Sequence, residues 1–240
     1  MILLLTNDDG HDAPGLAALE EATTPLGEVW VVAPARGYSG CGHQVTTHTP
    51  LRFRQEGPRR FVVEGTPADC VRVAFHGLVP RPNRVVAGIN AGGNLGADVF
   101  ISGTVAAVRE AALHGVSGVA VSQYRRRDRD FHWDRSARWV GALLGELLGE
   151  SLPAGAFWNV NLPHLDADVP DPQSRRCLLD LNPLPLSFRE SPDGWVYAGD
   201  YHARPRHPEA DIATCFGGAI AVSLLGLDQV NRVERDRLAN

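Results

Sequence analysis

Read as apolar and polar positions, the first half of the chain switches between two periods. Strand-length blocks rich in Val, Ile and Leu occur at Ile2–Thr6, Glu28–Ala33, Asn83–Ile89 and Val116–Ser122. Stretches with helical spacing separate them, at Pro14–Thr24, Pro67–His76 and Thr104–His114. Continuous apolar blocks suit strands covered on both faces, and strand–helix alternation makes neighbouring strands parallel. The pattern therefore predicts an α/β fold with a mostly parallel sheet and flanking helices. Pro14 and Pro67 stand where a helix begins and a missing N–H costs nothing. Thr66 ahead of Pro67, with Asp69 behind it, reads as an N-cap followed by first-turn negative charge.

The second half is less regular. A helix is expected from Trp133 through Leu148 and a strand at Phe157–Leu162. Residues Asp166–Pro208 are rich in proline and turn formers, with a hairpin predicted around "SPDGW" and Asp193–Gly194 as its turn signal. Order is expected to return at "DIATCFGGAIAVSLL". The run Arg125–Asp130, "RRRDRD", alternates in sign and reads as a solvated loop. No internal repeat breaks the chain, so residues 1–240 are expected to form a single domain, with 166–208 as an extended C-terminal arm.

Composition narrows the function. A chain of 240 residues buries roughly 70–75% of its unfolded surface and needs no disulfide staples. The net charge of -5 argues against binding a nucleic-acid backbone. All 23 basic side chains are arginine. Without lysine there is no Walker-type phosphate loop, no pyridoxal Schiff base and no kinase strand lysine. Cys41, Cys70, Cys177 and Cys215 are widely spaced and suit a reducing cytosol better than a disulfide or zinc framework. The opening apolar run has no basic region ahead of it and is too short for a signal peptide or a membrane span. The expectation is a soluble, cytoplasmic protein with no membrane partner.

The candidate chemistry collects at strand ends, where parallel sheets bind ligands. Asp8 and Asp9 follow the first strand, Ser39 lies in the loop after the second, and Asn90 follows "RVVAGI". Two carboxylates about 4 Å apart repel by roughly 4 kcal/mol at an effective dielectric of 20. A cation, a shared proton or divergence into solvent must offset that. Carboxylate, hydroxyl and amide oxygens together suit a hard divalent ion such as Mg²⁺ or Mn²⁺. The plainer alternative has Asp8 capping the next turn while Asp9 points into water.

A second feature lies in "NAGGNLGADVFISGTVAAVREAALHG", a glycine-rich loop leading into a helix near Thr104. Glycines allow close backbone approach, and a helix N-terminus attracts anions. Ser102, Gly103 and Thr104 would offer two hydroxyls and several amides there, or simply an N-cap and a tight turn. A cation site and an anion site on one rim suggest a phosphate ester held against a metal. The nine histidines form no compact zinc pattern. No G-x-S-x-G elbow or D-x-D-x-T signature occurs either.

These residues resemble the SurE family, stationary-phase survival proteins that act as metal-dependent nucleoside monophosphate phosphatases. The motifs are "TNDDG", "VVAP" with "SG" at Ser39, "GTPADC", "GINAGGNLG" and "SGTVAAVREAALHG", then "WNVNLP" and "ADIATCFGGAIAVSLL". The chain departs from the family pattern at Ala35, commonly aspartate, and in the late "AIAVSLL" strand. The resemblance implies a Rossmann-like domain carrying one divalent ion per subunit on Asp8, Asp9, Ser39 and Asn90. It further implies hydrolysis of nucleoside 5'- and 3'-monophosphates, with short polyphosphate as a further substrate. Homodimers or homotetramers would exchange the C-terminal arm. On this reading Asp8 and Asn90 are the catalytic candidates, with Asp8 a ligand, a nucleophile or a base. Asn7, Ser102, Gly103 and Thr104 are the substrate-binding candidates. A nucleotide-binding module without catalysis is the alternative.

Overall fold

The computed structural model describes residues 1–126 and 129–227. Within them the strands are β1 (Ile2–Thr6), β2 (Glu28–Pro34), β3 (Phe53–Gly57), β4 (Arg60–Val63), β5 (Arg84–Asn90) and β6 (Gly118–Gln123). They continue as β7 (Ala156–Leu162), β8 (Ser174–Arg176), β9 (Phe188–Ser191), β10 (Gly194–Tyr197) and β11 (Ile220–Gly226). The helices are α1 (Pro14–Thr23), α2 (Pro67–Val73), α3 (Gly103–Leu113), α4 (Trp133–Leu147) and α5 (Asp211–Phe216).

Nine strands form one sheet in the order β3-β4-β2-β1-β5-β6-β7-β11-β8. The six from β4 to β7 are mutually parallel. β3 joins one edge antiparallel to β4, and β11 joins the other antiparallel to β7, with β8 parallel to it. Numbered along the chain, the six parallel strands run 3-2-1-4-5-6 across the sheet. This is the dinucleotide-binding order, and its direction reverses between β1 and β5, where a crevice opens beyond the strand ends.

The apolar blocks are buried on both faces. In β1, Leu3 and Leu5 enter the cluster formed with α1 and α4, whereas Leu4 enters the opposite cluster with α2 and α3. The first layer includes Leu16, Leu19, Val140 and Leu144. The second includes Val71, Val105, Val108 and Ala111. A period of two within a fully apolar strand thus feeds both cores at once.

Several elements differ from expectation. The short strands β3, β4 and β8 are additions. β4 has only four residues behind the exposed Pro58–Arg59 turn, so its identity comes from pairing with β2. α2 begins with the expected capping box between Thr66 and Asp69, but ends at Val73 and runs into a π turn over Ala74–Leu78. The hairpin forms, yet its two loop residues are Pro192 and Asp193, because Gly194 (φ +127°) already pairs with Ser191. In the charged run Arg125–Asp130, Arg125, Arg126 and Asp130 are exposed. Arg129 is half-buried and paired with Asp166, while Arg127 and Asp128 lie outside the described residues. The four cysteines are unpaired, and no described helix is long and apolar enough to cross a membrane.

Within 166–208, β9 and β10 pair only with each other among the described residues, and their neighbourhood carries exposed apolar side chains such as Leu186 (90%) and Trp195 (68%). The chain then returns to the body. Tyr201 donates to Asp98 Oδ2 at 2.8 Å, and the buried Arg204 guanidinium reaches Asp98 at 3.1 Å and the Leu95 carbonyl at 3.0 Å. These contacts anchor the foot of the arm on the short 3₁₀ turn over Gly96–Phe100, directly ahead of Ser102.

Candidate active site

The crevice between β1 and β5 brings the candidates together. β1 ends at Thr6, level with Ala87 of β5, so the turn holding Asp8 and Asp9 faces the end of β5 at Asn90. Gly88, just before that end, has a φ of +136°, and a Cβ there would lie 2.2 Å from the Val121 carbonyl oxygen of β6. Only glycine lets β5 close on β6 there while delivering Ile89 and Asn90 to the rim.

The turn is braced from within. Asn7 is buried and donates from Nδ2 to the Gly10 carbonyl at 2.7 Å, while its Oδ1 is buried without a hydrogen-bond partner. Asn7 therefore shapes the turn, and its orphaned oxygen is an acceptor left for a ligand or water. Asp9 Oδ2 accepts the Ala91 N–H at 2.9 Å, which ties the turn to the loop after β5. Asn90 donates its own amide to the Gly92 carbonyl at 2.7 Å, so its Oδ1 is the atom that remains to act as a ligand.

Ser39 arrives through backbone contacts. The Tyr38 N–H donates to the Asp8 carbonyl at 2.7 Å, and the Gly42 N–H donates to the Ile101 carbonyl at 2.9 Å. The loop holding Ser39 thus bridges the carboxylate turn and the approach to α3. Ser39 itself is exposed, and no side-chain hydrogen bond joins it to Asp8 or Asp9 among the described residues.

α3 begins against Asp8. Ser102 is its N-cap, accepting the Val105 N–H at 3.1 Å. The Thr104 hydroxyl donates to Asp8 Oδ1 at 2.5 Å. A Cβ on Gly103 would lie 2.9 Å from Asp8 Oδ2 and 2.9 Å from the Cys41 sulfur, so glycine is what allows the helix end to come this close. The anion at the head of α3 is thus the carboxylate of Asp8. Ser102 and Thr104 both spend their hydroxyls within the protein.

Electrostatics mark the pair as uncompensated. Burial pushes Asp8, which is 5% exposed, up to about 6; the neighbouring charge of Asp9 adds to this, and the Thr104 hydroxyl opposes it. Burial also raises Asp9, against the Ala91 N–H. No positive side chain contributes at either carboxylate. Among the described residues no group of three or more His, Cys, Asp and Glu could hold a metal. The oxygen set here has only two such members, its other donors being a hydroxyl and an amide. A buried carboxylate beside a half-buried one, an orphaned amide oxygen and an all-oxygen donor set fit a hard divalent cation.

Comparisons with known proteins give the family. The family model described as "Survival protein SurE" matches residues 3–177. The chain belongs to the SurE family. It is 48% identical over 169 residues to a protein named 5'-nucleotidase SurE from Geotalea uraniireducens, covering 70% of this chain and 68% of that one. It is 39% identical over 255 residues to one of the same name from Allorhizobium ampelinum, covering 100% and 96%. The crystal structure of a SurE protein from Aquifex aeolicus superimposes with a TM-score of 0.87 at 30% identity, covering 100% of both chains. The family match ends at Cys177, within the arm.

Within this SurE chain, sequence reasoning missed the groups that act through the backbone or over long range. Tyr38 and Ala91 contribute only their N–H groups, which leave no mark on residue identity. Glu110 accepts from His43 Nε2 at 2.7 Å and His114 Nε2 at 3.1 Å, fastening the Ser39 loop to α3. Thr46 does the same to α2, donating its N–H and hydroxyl to Asp69 at 2.8 and 2.7 Å. The departure at Ala35 leaves support intact, since its N–H donates to Val63 at 2.8 Å, and "AIAVSLL" still forms β11.

Proposed function

We propose that this SurE chain is a divalent-metal-dependent phosphomonoesterase acting on nucleoside 5'- and 3'-monophosphates. The observation that carries this reading is the uncompensated Asp8–Asp9 pair at the reversal point of the sheet, with the start of α3 docked on Asp8. The 5'-nucleotidase names of the relatives support the substrate class. Asp8, Asp9, Ser39 and Asn90 would hold one Mg²⁺ or Mn²⁺. When bound, such an ion polarises phosphoryl oxygens and lowers the pKa of coordinated water.

The chain's own residues supply orientation and proton handling. The Thr104 hydroxyl fixes the Asp8 rotamer through Oδ1, with Oδ2 packed against Gly103. With the ion bound, Asp8 would be held as the carboxylate, available as a ligand and as a nucleophile or base. The Ala91 N–H fixes Asp9, and the Gly92 carbonyl fixes the Asn90 amide so that Oδ1 faces away from that bond. Short polyphosphate is a further substrate on the same chemistry. Exposed apolar side chains on the hairpin support assembly into a homodimer or homotetramer through the arm. The unpaired cysteines are in keeping with a cytoplasmic setting.

The deciding experiment is phosphate release from AMP with and without EDTA. Release that stops in EDTA and returns with Mg²⁺ or Mn²⁺ is expected. AMP binding without release at any metal concentration would leave a nucleotide-binding module instead.

A further inference from the structure

Further along the same rim, beyond the ends of β6 and β7, lies a cavity of about 660 Å³. Asn7, Asp8, Asp9, Ser39, Asn90 and Ser102–Thr104 contribute nothing to its walls. The loop after β5 stands between the two places. Asn94 in that loop donates to Asn161 Oδ1 at 2.8 Å and to Ser122 Oγ at 2.7 Å, on β7 and β6.

The floor of the cavity is aromatic. Tyr124 and Phe216 stack with centroids 4.6 Å apart and planes at 29°, and His202 sits 5.7 Å from Phe216 with Nδ1 2.7 Å from the Tyr124 hydroxyl. The walls are basic: among the described residues Arg126, Arg129 and Arg206 line it with one carboxylate, Asp166. Arg129 pairs with Asp166 at 2.9 Å, and guanidiniums outnumber carboxylates in the described lining, in a chain of charge -5. The Arg206 guanidinium lies 5.1 Å from the Phe216 centroid and donates to the His202 carbonyl at 3.0 Å. It meets no carboxylate among the described residues.

The volume is that of a small-molecule site. Surplus positive charge inside a cleft draws anions, and guanidinium forks match phosphate oxygens. Aromatic faces stack on nucleobases without strict base preference. We propose that this cavity binds a nucleoside phosphate, separately from the phosphate held at Asp8. The two halves of the ligand have their own recognition: arginine for the phosphate, the accessible edges of Phe216 and His202 for the ring.

The test is equilibrium dialysis of the full chain with the phosphonate analogue of AMP, whose P–C bond resists hydrolysis, so the readout does not need catalysis. Two equivalents per chain are expected. Arg206→Glu at this exposed position should weaken one of them by about tenfold or more, with Arg206→Gln intermediate and both melting as wild type. Asp8→Asn should leave that equivalent in place. If only the Arg206-sensitive equivalent is found, the cavity site stands and the phosphatase reading loses support. Unchanged binding in Arg206→Glu overturns the cavity site. A single equivalent sensitive to both substitutions, with KM for AMP raised by Arg206→Glu, also overturns it and makes the cavity the far end of the catalytic crevice. Competition arms sort the recognition. Inorganic phosphate should displace the analogue from the cavity, and adenosine binding as tightly as the analogue would overturn the phosphate assignment.

Discussion

Thr104 and Asp8, 96 positions apart in the chain, are joined by a hydroxyl-to-carboxylate hydrogen bond of 2.5 Å. The bond welds the first turn of α3 to the turn after β1, so Thr104, a substrate-binding candidate, also sets the position of the carboxylate.

Thr104→Ala should therefore act through Asp8. Loss of the hydroxyl leaves a buried carboxylate short of a donor, at a cost of roughly 1–3 kcal/mol in stability. Turnover should fall on the order of tenfold to a hundredfold as Asp8 loses its fixed rotamer. Thr104→Ser keeps the donor and should keep most of both. The comparison is kcat/KM on AMP beside unfolding free energies; wild-type turnover in the alanine variant would confine the bond to a structural role.

Asp8→Asn should nearly abolish activity, yet stabilise the metal-free protein at neutral pH. Burial raises the folded pKa of Asp8 from 3.8 to about 6, so its contribution is fully present below pH 3.8 and is lost as pH rises through 6. The penalty removed by asparagine is at most about 3 kcal/mol at pH 7, and the Thr104 hydroxyl can still donate to the amide oxygen. Urea unfolding in chelator across pH 4 to 8 should show the two proteins converging toward acid. A variant less stable than wild type at pH 8 would contradict the burial argument.

Melting temperature should rise on adding Mg²⁺ or Mn²⁺ to chelated protein, since an ion bound only to the folded state stabilises it by mass action. At a hundred times the dissociation constant the gain is about 2.7 kcal/mol. The same titration on Asp9→Asn should show a much smaller rise. Flat curves for wild type over a wide metal range would remove the cation from the Asp8–Asp9 turn.

Glu110→Gln tests the fastening of the Ser39 loop. Burial pushes this carboxyl up, but hydrogen bonds from His43 and His114, with their charges, bring it net below its ordinary value. Its stabilisation is therefore present above the unfolded carboxylate pKa and lost as pH falls through the lower folded value. The variant should lose roughly 1–3 kcal/mol near neutral pH and much less in acid. The metal concentration for half-maximal activity should rise while kcat at saturating metal changes little. A variant with unchanged metal demand would separate this clamp from the site.

The sequence by itself determined the central strands of the sheet and the candidate residues at its rim. Apolar blocks such as Leu3–Leu5 read as doubly buried strands because burial on both faces leaves no polar position to confuse the period. Asp8–Asp9 stood out because adjacent charges at a strand end need an explanation wherever the chain goes. The Thr66–Asp69 capping box was legible because its partners are three residues apart. Tertiary structure decided the rest, through contacts between segments distant in the chain. β4 has too few residues to announce itself and exists because β2 offers it an edge. Thr104 carries no sign that its partner is Asp8, and Glu110 none that His43 crosses 67 positions to meet it. Local periodicity is written in neighbouring residues; a hydrogen bond closed across a sheet rim is set by strand order, and strand order emerges only when the whole chain has packed.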